Sequence, residues 1–252
     1  MTALVVIAAF PLVAGIGYGL FNFAGQAIGG PGAPARLARY GMVVYAALLV
    51  LPLALALIAW EGGTPAAPVL RPEVILGLGW GEGLVPWARL LVLGLASGVL
   101  GVASGAALYH IERRAWRALD PAPAPAFSAK VDRRYLTDGK TTETVRNLQA
   151  LPVPLLLGLI TFIVVVEEVL WRGYLIGYAE DVLGVPRAVA LAASALAFGI
   201  NHLYFGLRNA GAKVVEGAVW GLLFVFGGLL APVLSHLTFN LLALNVRVEL
   251  QR

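Results

Sequence analysis

Long, uninterrupted apolar runs dominate the pattern of this chain: Thr2–Phe21, Gly41–Trp60, Leu90–Tyr109, Leu151–Val166, Ala188–Ile200, Val214–Leu230 and Val233–Val246. A helix needs about 20 mostly apolar residues to cross the hydrocarbon layer. Most of these runs reach that length once weakly polar flanks are added. They predict seven spans, near residues 2–21, 41–60, 88–110, 152–178, 187–206, 213–230 and 232–247. Glu73–Trp80 adds a short re-entrant or interfacial helix, so an eighth span stays open. Backbone groups in lipid are satisfied only in helices or closed barrels, and barrel strands alternate in polarity, which these runs do not. The predicted fold class is all-α, a polytopic transmembrane bundle of about seven or eight spans.

Three regions follow from that pattern. Residues 1–110 form N-terminal transmembrane helices, 111–150 a basic, Pro-rich cytoplasmic loop, and 151–252 a second set of helices. In the loop, Asp120–Ala126 alternates Pro and Ala, a stiff extended linker. Lys130–Arg146 lies on the anionic inner surface of the membrane or is simply solvated. The third span carries Gly94, Gly98, Gly101 and Gly105 with Ser97 and Ser104, a small-residue ridge that permits close helix approach. Most Lys and Arg lie in loops one-two, three-four and five-six and at the C-terminus, from Arg36 to Lys213 and Arg252. The other side holds Arg71, Arg89 and Arg187. The positive-inside rule then puts the N-terminus outside and the C-terminus in the cytoplasm, of a bacterial plasma membrane. The first run lacks a basic n-region and a clean cleavage site and is read as a retained helix.

Composition agrees with membrane insertion. Of 252 residues, 60% are hydrophobic and 13% charged, with mean hydropathy +0.84, against roughly 25% charged in soluble domains. The net charge of +4 is accounted for by topology rather than by nucleic acid. Cysteine is absent, which removes disulfides, thiol nucleophiles and thiolate ligands.

The informative residues are the polar ones at lipid depth. The fourth span reads Val164-Val-Val-Glu-Glu-Val-Leu-Trp-Arg172, with no charge from Leu151 to Val166. One acidic residue in mid-span costs about 2.5–3.5 kcal/mol on insertion scales. Glu168 and Arg172 are four apart and pair on one face; Glu167 points elsewhere, without a local partner. The fifth span ends in Phe198-Gly-Ile-Asn-His202, and the seventh holds His236 and Asn240 on one face. Each has a structural role open to it: an ion pair, a helix-helix hydrogen bond, an amide between helices. Glu216 reads as interfacial.

Gathered in one place, these groups support hydrolysis. A Glu withdrawn from bulk water can act as general base near neutral pH, a neutral His can share or orient the water, and a His and an Asn can donate to an oxyanion. His202, His236 and Glu167 also match the three-ligand open site of a catalytic zinc, and spacing does not choose between these. There is no H-E-x-x-H and no G-x-G-D. Ser97 and Ser104 belong to a packing ridge, and Ser235 faces away from its neighbour His236.

Glu167-Glu168-x-x-x-Arg172, Phe198-x-x-x-His202 and His236-x-x-x-Asn240 resemble, in order and on three spans, the three motifs of the CPBP family. That family holds type II CAAX prenyl proteases, bacteriocin-processing or immunity proteins and abortive-infection proteins. The resemblance covers about Leu151–Val246. It implies a helical membrane endopeptidase with an internal cavity, acting on protein or peptide substrates that enter from the lipid. It also implies that Glu167 with His202 activates water, that His236 with Asn240 stabilises the oxyanion, and that Glu168 and Arg172 support them. No cofactor is required in the favoured form; a divalent metal, zinc, is the alternative. Cleavage of prenylated CAAX proteins does not follow from the resemblance. A transporter or proton relay, and a catalytically idle scaffold or immunity protein, are the competing functions; no internal repeat supports the transporter. Pro152 and Pro154 place the start of the fourth membrane segment near Leu155.

Overall fold

A computed structural model describes residues 43–50, 86–119, 148, 151–181, 183–205 and 207–244. All regular structure among them is helical. A helical stretch over 43–50 precedes α1 (Pro86–Leu119), α2 (Val153–Glu168), a π-helical turn (Val169–Ile176) and α3 (Gly177–Asp181). After these come α4 (Arg187–Asn201), a short 3-10 turn (Leu203–Phe205), α5 (Leu207–Gly227) and α6 (Leu230–Ala243). Among the described residues three helices are long and apolar enough to cross a membrane, Gly94–Ala115, Val153–Ile176 and Leu207–Gly227; Arg187–Asn201 and Leu230–Ala243 are shorter apolar helices. The span expected at 2–21, most of the one at 41–60, the Glu73–Trp80 helix and nearly all of the 111–150 loop lie outside the described residues.

Several boundaries differ from the sequence pattern for physical reasons. α1 runs on to Leu119, carrying Arg113, Arg114 and Arg117 as further helical turns rather than as loop. α2 starts at Val153 behind Pro152, with Pro154 in its first turn, where a missing N–H costs nothing. α5 begins at Leu207, so Arg208 and Lys213, read as loop residues, belong to a helix.

Two crossings organise the bundle: α1 lies along α6, and α4 along α5. The small-residue ridge of α1 makes the first possible. A Cβ on Gly101 would stand 2.6 Å from the Ala231 carbonyl oxygen, and one on Gly105 would collide with the Ser235 backbone. Gly199 has the same role on α4, against Ala210 and Val214 of α5. The ridge's serines tie the crossing: Ser97 Oγ donates to the Gly227 carbonyl at the end of α5, and Ser104 Oγ to Ser235 Oγ, both at 3.0 Å. Outward positions of α1 and α5, including Leu95, Val99, Val215 and Phe226, are exposed and apolar, as a lipid-facing surface requires. Gly105→Leu is expected to force α1 off α6 at an overpacking cost of about 1–3 kcal/mol. Thermal unfolding in detergent checks this against Gly158→Leu, whose Cβ position meets open space; equal midpoints would rule out the tight crossing.

Candidate active site

Glu167 and Glu168 end α2, where the helix widens into its π turn. Widening shifts backbone hydrogen bonding and frees a carbonyl from the helical ladder. Ser194 of α4 takes up the Trp171 carbonyl, its Oγ donating at 2.7 Å. Every residue from Leu170 to Ile176 is buried, so the irregular turn is held inside protein, the only place lipid-depth backbone tolerates it.

The expected pair forms. Arg172 Nη1 donates to Glu168 Oε1 at 3.2 Å, both side chains wholly buried. Its Nη2 donates to the Gly217 carbonyl at 3.2 Å, and the guanidinium lies 4.7 Å from the centre of the Phe198 ring. Glu168 has a second partner that spacing did not announce: His236 Nδ1, 2.8 Å from the same Oε1. With Glu168 ionised the carboxylate accepts and Nδ1 donates, which leaves Nε2 of a neutral His236 as an acceptor. That Nε2 stands 3.8 Å from Glu167 Oε2. His236 is stacked on Trp220 at 3.9 Å, with Phe198 edge-on at 5.8 Å. Trp220 Nε1 in turn donates to Ser235 Oγ at 3.0 Å. Ser235 therefore serves the site by holding the plate on which the imidazole rests.

Glu167, without a partner on its own helix, finds one 122 residues away: the Tyr45 hydroxyl donates to its Oε1 at 2.7 Å. Asn201 Nδ2 donates to the same hydroxyl at 3.0 Å. His202 follows Asn201 as the residue closing α4, with non-helical φ −98 and ψ 5. Its Nδ1 donates to the Phe198 carbonyl at 2.8 Å, which turns Nε2 into the free acceptor. The imidazole that approaches Glu167 is that of His236; His202 meets the cluster through Phe198, its ring 4.6 Å away. Asn240 lies one turn beyond His236 on α6, half-buried, and its side chain has no hydrogen bond among the described residues.

Glu216, read as interfacial, is buried and paired with Lys213 at 2.6 Å. Lys213 sits 4.5 Å over the Phe239 ring. Among the described residues no group of three or more His, Asp or Glu side chains is placed to hold a metal ion, and Glu167, His202 and His236 do not form a ligand set in this arrangement. Tyr45, Asn201, Trp220 and the Lys213–Glu216 pair were not singled out from the sequence. Only Lys213–Glu216, three apart on one helix, carried a local signal.

An apolar helical bundle that buries two carboxylates, an arginine and a histidine in mutual contact defines an integral membrane protein with a built polar centre. Residues 149–242 match the family model described as type II CAAX prenyl endopeptidase Rce1-like. That match agrees with the CPBP resemblance of the three motifs. The matched segment holds Glu167, Glu168, Arg172, His202, His236 and Asn240, and excludes Tyr45 and α1. No curated protein and no solved structure gives a significant match.

Proposed function

We propose that the protein is an intramembrane endopeptidase that hydrolyses membrane-associated protein or peptide substrates with water activated at Glu167. The observation that carries this is the division of labour between adjacent carboxylates. Glu168 has its Oε1 taken up by both Arg172 and His236, while its buried Oε2 has no hydrogen-bond partner among the described residues. Glu167 has one oxygen held by Tyr45 and the other directed toward an imidazole nitrogen, 3.8 Å away.

In the mechanism, Glu167 takes a proton from water as the oxygen attacks the scissile carbonyl. His202 Nε2, an acceptor by its tautomer, shares that water. The amide Nδ2 of Asn240 donates to the oxygen on which charge develops, a form of stabilisation that needs no covalent intermediate; His236, whose Nε2 is an acceptor by its tautomer, joins it only once that nitrogen is protonated. Glu167 then returns its proton to the leaving amine. A second arrangement is favoured by the 3.8 Å separation: the water lies between Glu167 Oε2 and His236 Nε2, and His202 orients the substrate.

The test uses full-length protein in liposomes with two probes, a fluorogenic peptide ending in a farnesylated CAAX box and a tagged single-span membrane protein. Wild type is expected to cleave at least one, and His202→Ala and His236→Ala to lose activity by about 10²-fold or more. If His236→Ala is the more damaging, the second arrangement holds. Loss of wild-type activity with a chelator, restored by zinc, would replace the metal-free mechanism. Inert wild type on both probes would overturn the peptidase in favour of a scaffold.

A further inference from the structure

We propose that Tyr45 and Asn201 are the positioning pair of the Glu167 carboxylate, a relay through which the chain before the Rce1-like segment completes the site. This role presupposes Glu167 as the general base, and it follows from the count of protons. A phenol has one O–H to give. Asn201 Nδ2 is a donor and fills an acceptor position on the Tyr45 oxygen at 3.0 Å. Tyr45 therefore has nothing to give Asn201, and its single proton is directed at Glu167 Oε1, 2.7 Å away. The opposite amide orientation would set Asn201 Oδ1 against a phenol oxygen whose proton is already committed, lone pair to lone pair.

The consequence is orientational. A glutamate has three side-chain torsions, and a base whose oxygen wanders by 1 Å loses much of its advantage. With Oε1 fixed, Oε2 is the oxygen left for water, on the side of His236 Nε2. Asn201 closes α4 immediately before His202, so the relay also sets the distance between the carboxylate and the end of the helix that carries this imidazole. Tyr45 lies on the 43–50 helical stretch, whose Leu49 is fully buried in the same core as Val164 and Phe198. The hydroxyl is thus anchored by packing. Tyr45 is a positioning residue, not a catalytic one.

The experiment makes Tyr45→Phe, Asn201→Leu and the double variant in the full-length chain and reads each in two ways. With the farnesylated peptide or the single-span substrate, Tyr45→Phe is expected to lower kcat about 10- to 100-fold, as loss of a hydrogen bond to a charged group does, with KM within about twofold. Asn201→Leu is expected to cost less, and nothing further once Tyr45 is Phe. By infrared difference spectroscopy, the Glu167 carboxyl band, assigned by its loss in Glu167→Gln, is expected to shift in both single variants. The Asn201 shift is expected to vanish in the Tyr45→Phe background. Full activity in Tyr45→Phe, an unmoved band, or strictly additive effects would overturn the relay. Glu167→Gln that still cleaves would overturn the base itself, a failure told apart from the first by that one variant. Matched thermal midpoints separate either result from misfolding.

Discussion

Glu167→Gln is expected to cut peptide hydrolysis by about 10²–10⁴-fold, the range over which a positioned general base acts, while leaving the fold unchanged. The substitution is informative because so little else is altered. Gln has the same length, and its amide oxygen can still accept from Tyr45, which donates to Oε1 at 2.7 Å. Glu168 remains to pair with Arg172, so the buried cation keeps its partner. What disappears is the capacity to take a proton from water. Glu168→Gln should behave differently: it removes the anion that holds both Arg172 and His236, so a loss of activity there should come with a loss of stability. Initial rates in liposomes together with thermal midpoints separate the two carboxylates. Equal rates for wild type and Glu167→Gln would remove Glu167 from the chemistry.

How much of this was legible depends on whether a contact is local. Glu168 and Arg172 are one helical turn apart, and their pairing could be read from spacing alone. The ridge of Gly98, Gly101 and Gly105 was legible for the same reason: small residues repeated on one face invite a second helix, although only the structure shows that α6 is the helix that accepts. Glu167 could be read negatively, as a carboxylate with no local partner. Its actual partner, Tyr45, is separated by 122 residues and lies in a run where a tyrosine passes for a membrane-interface aromatic. Trp220 was hidden for a related reason. A Trp inside an apolar helix reads as core, and that it stacks on His236 at 3.9 Å depends on how α5 and α6 meet after the turn at Gly228, whose φ of 66° ends α5.

Lys213 and Glu216 show where charge patterning misleads. A lysine after an apolar break looks like a topology signal, and a glutamate three residues on looks like the water boundary. In the structure α5 starts six residues before Lys213, and both side chains turn inward, Lys213 over Phe239 and Glu216 against it. The membrane's cost for a lone charge falls when a partner sits on the adjacent turn. Paired charges can therefore stand well inside a helix that hydropathy alone would begin later.

Arg172→Met is expected to destabilise the bundle by about 3–5 kcal/mol, the usual cost of breaking a buried ion pair from one side. Burial decides this, not distance. The Arg187–Glu180 pair is closer, with Arg187 Nε 2.6 Å from Glu180 Oε1, yet the arginine side chain is 59% exposed. Arg187→Ala should therefore cost no more than about 1 kcal/mol and should become milder still in high salt. Arg172 and Glu168 are 0% exposed at 3.2 Å. Met keeps most of the aliphatic stem against Phe198 and Trp220 but strands the Glu168 charge and leaves the Gly217 carbonyl without its Nη2 donor. His236 alone then faces Glu168 Oε1, so its hold on the imidazole changes and activity should fall together with stability. A Glu168→Leu, Arg172→Met double variant removes both charges and should recover part of the lost stability without recovering activity, because His236 Nδ1 no longer has an acceptor. Unfolding midpoints of the two single variants and the double in one detergent provide the cycle. A double variant less stable than Arg172→Met alone would show that the stranded charge is not what unfolds the single variant.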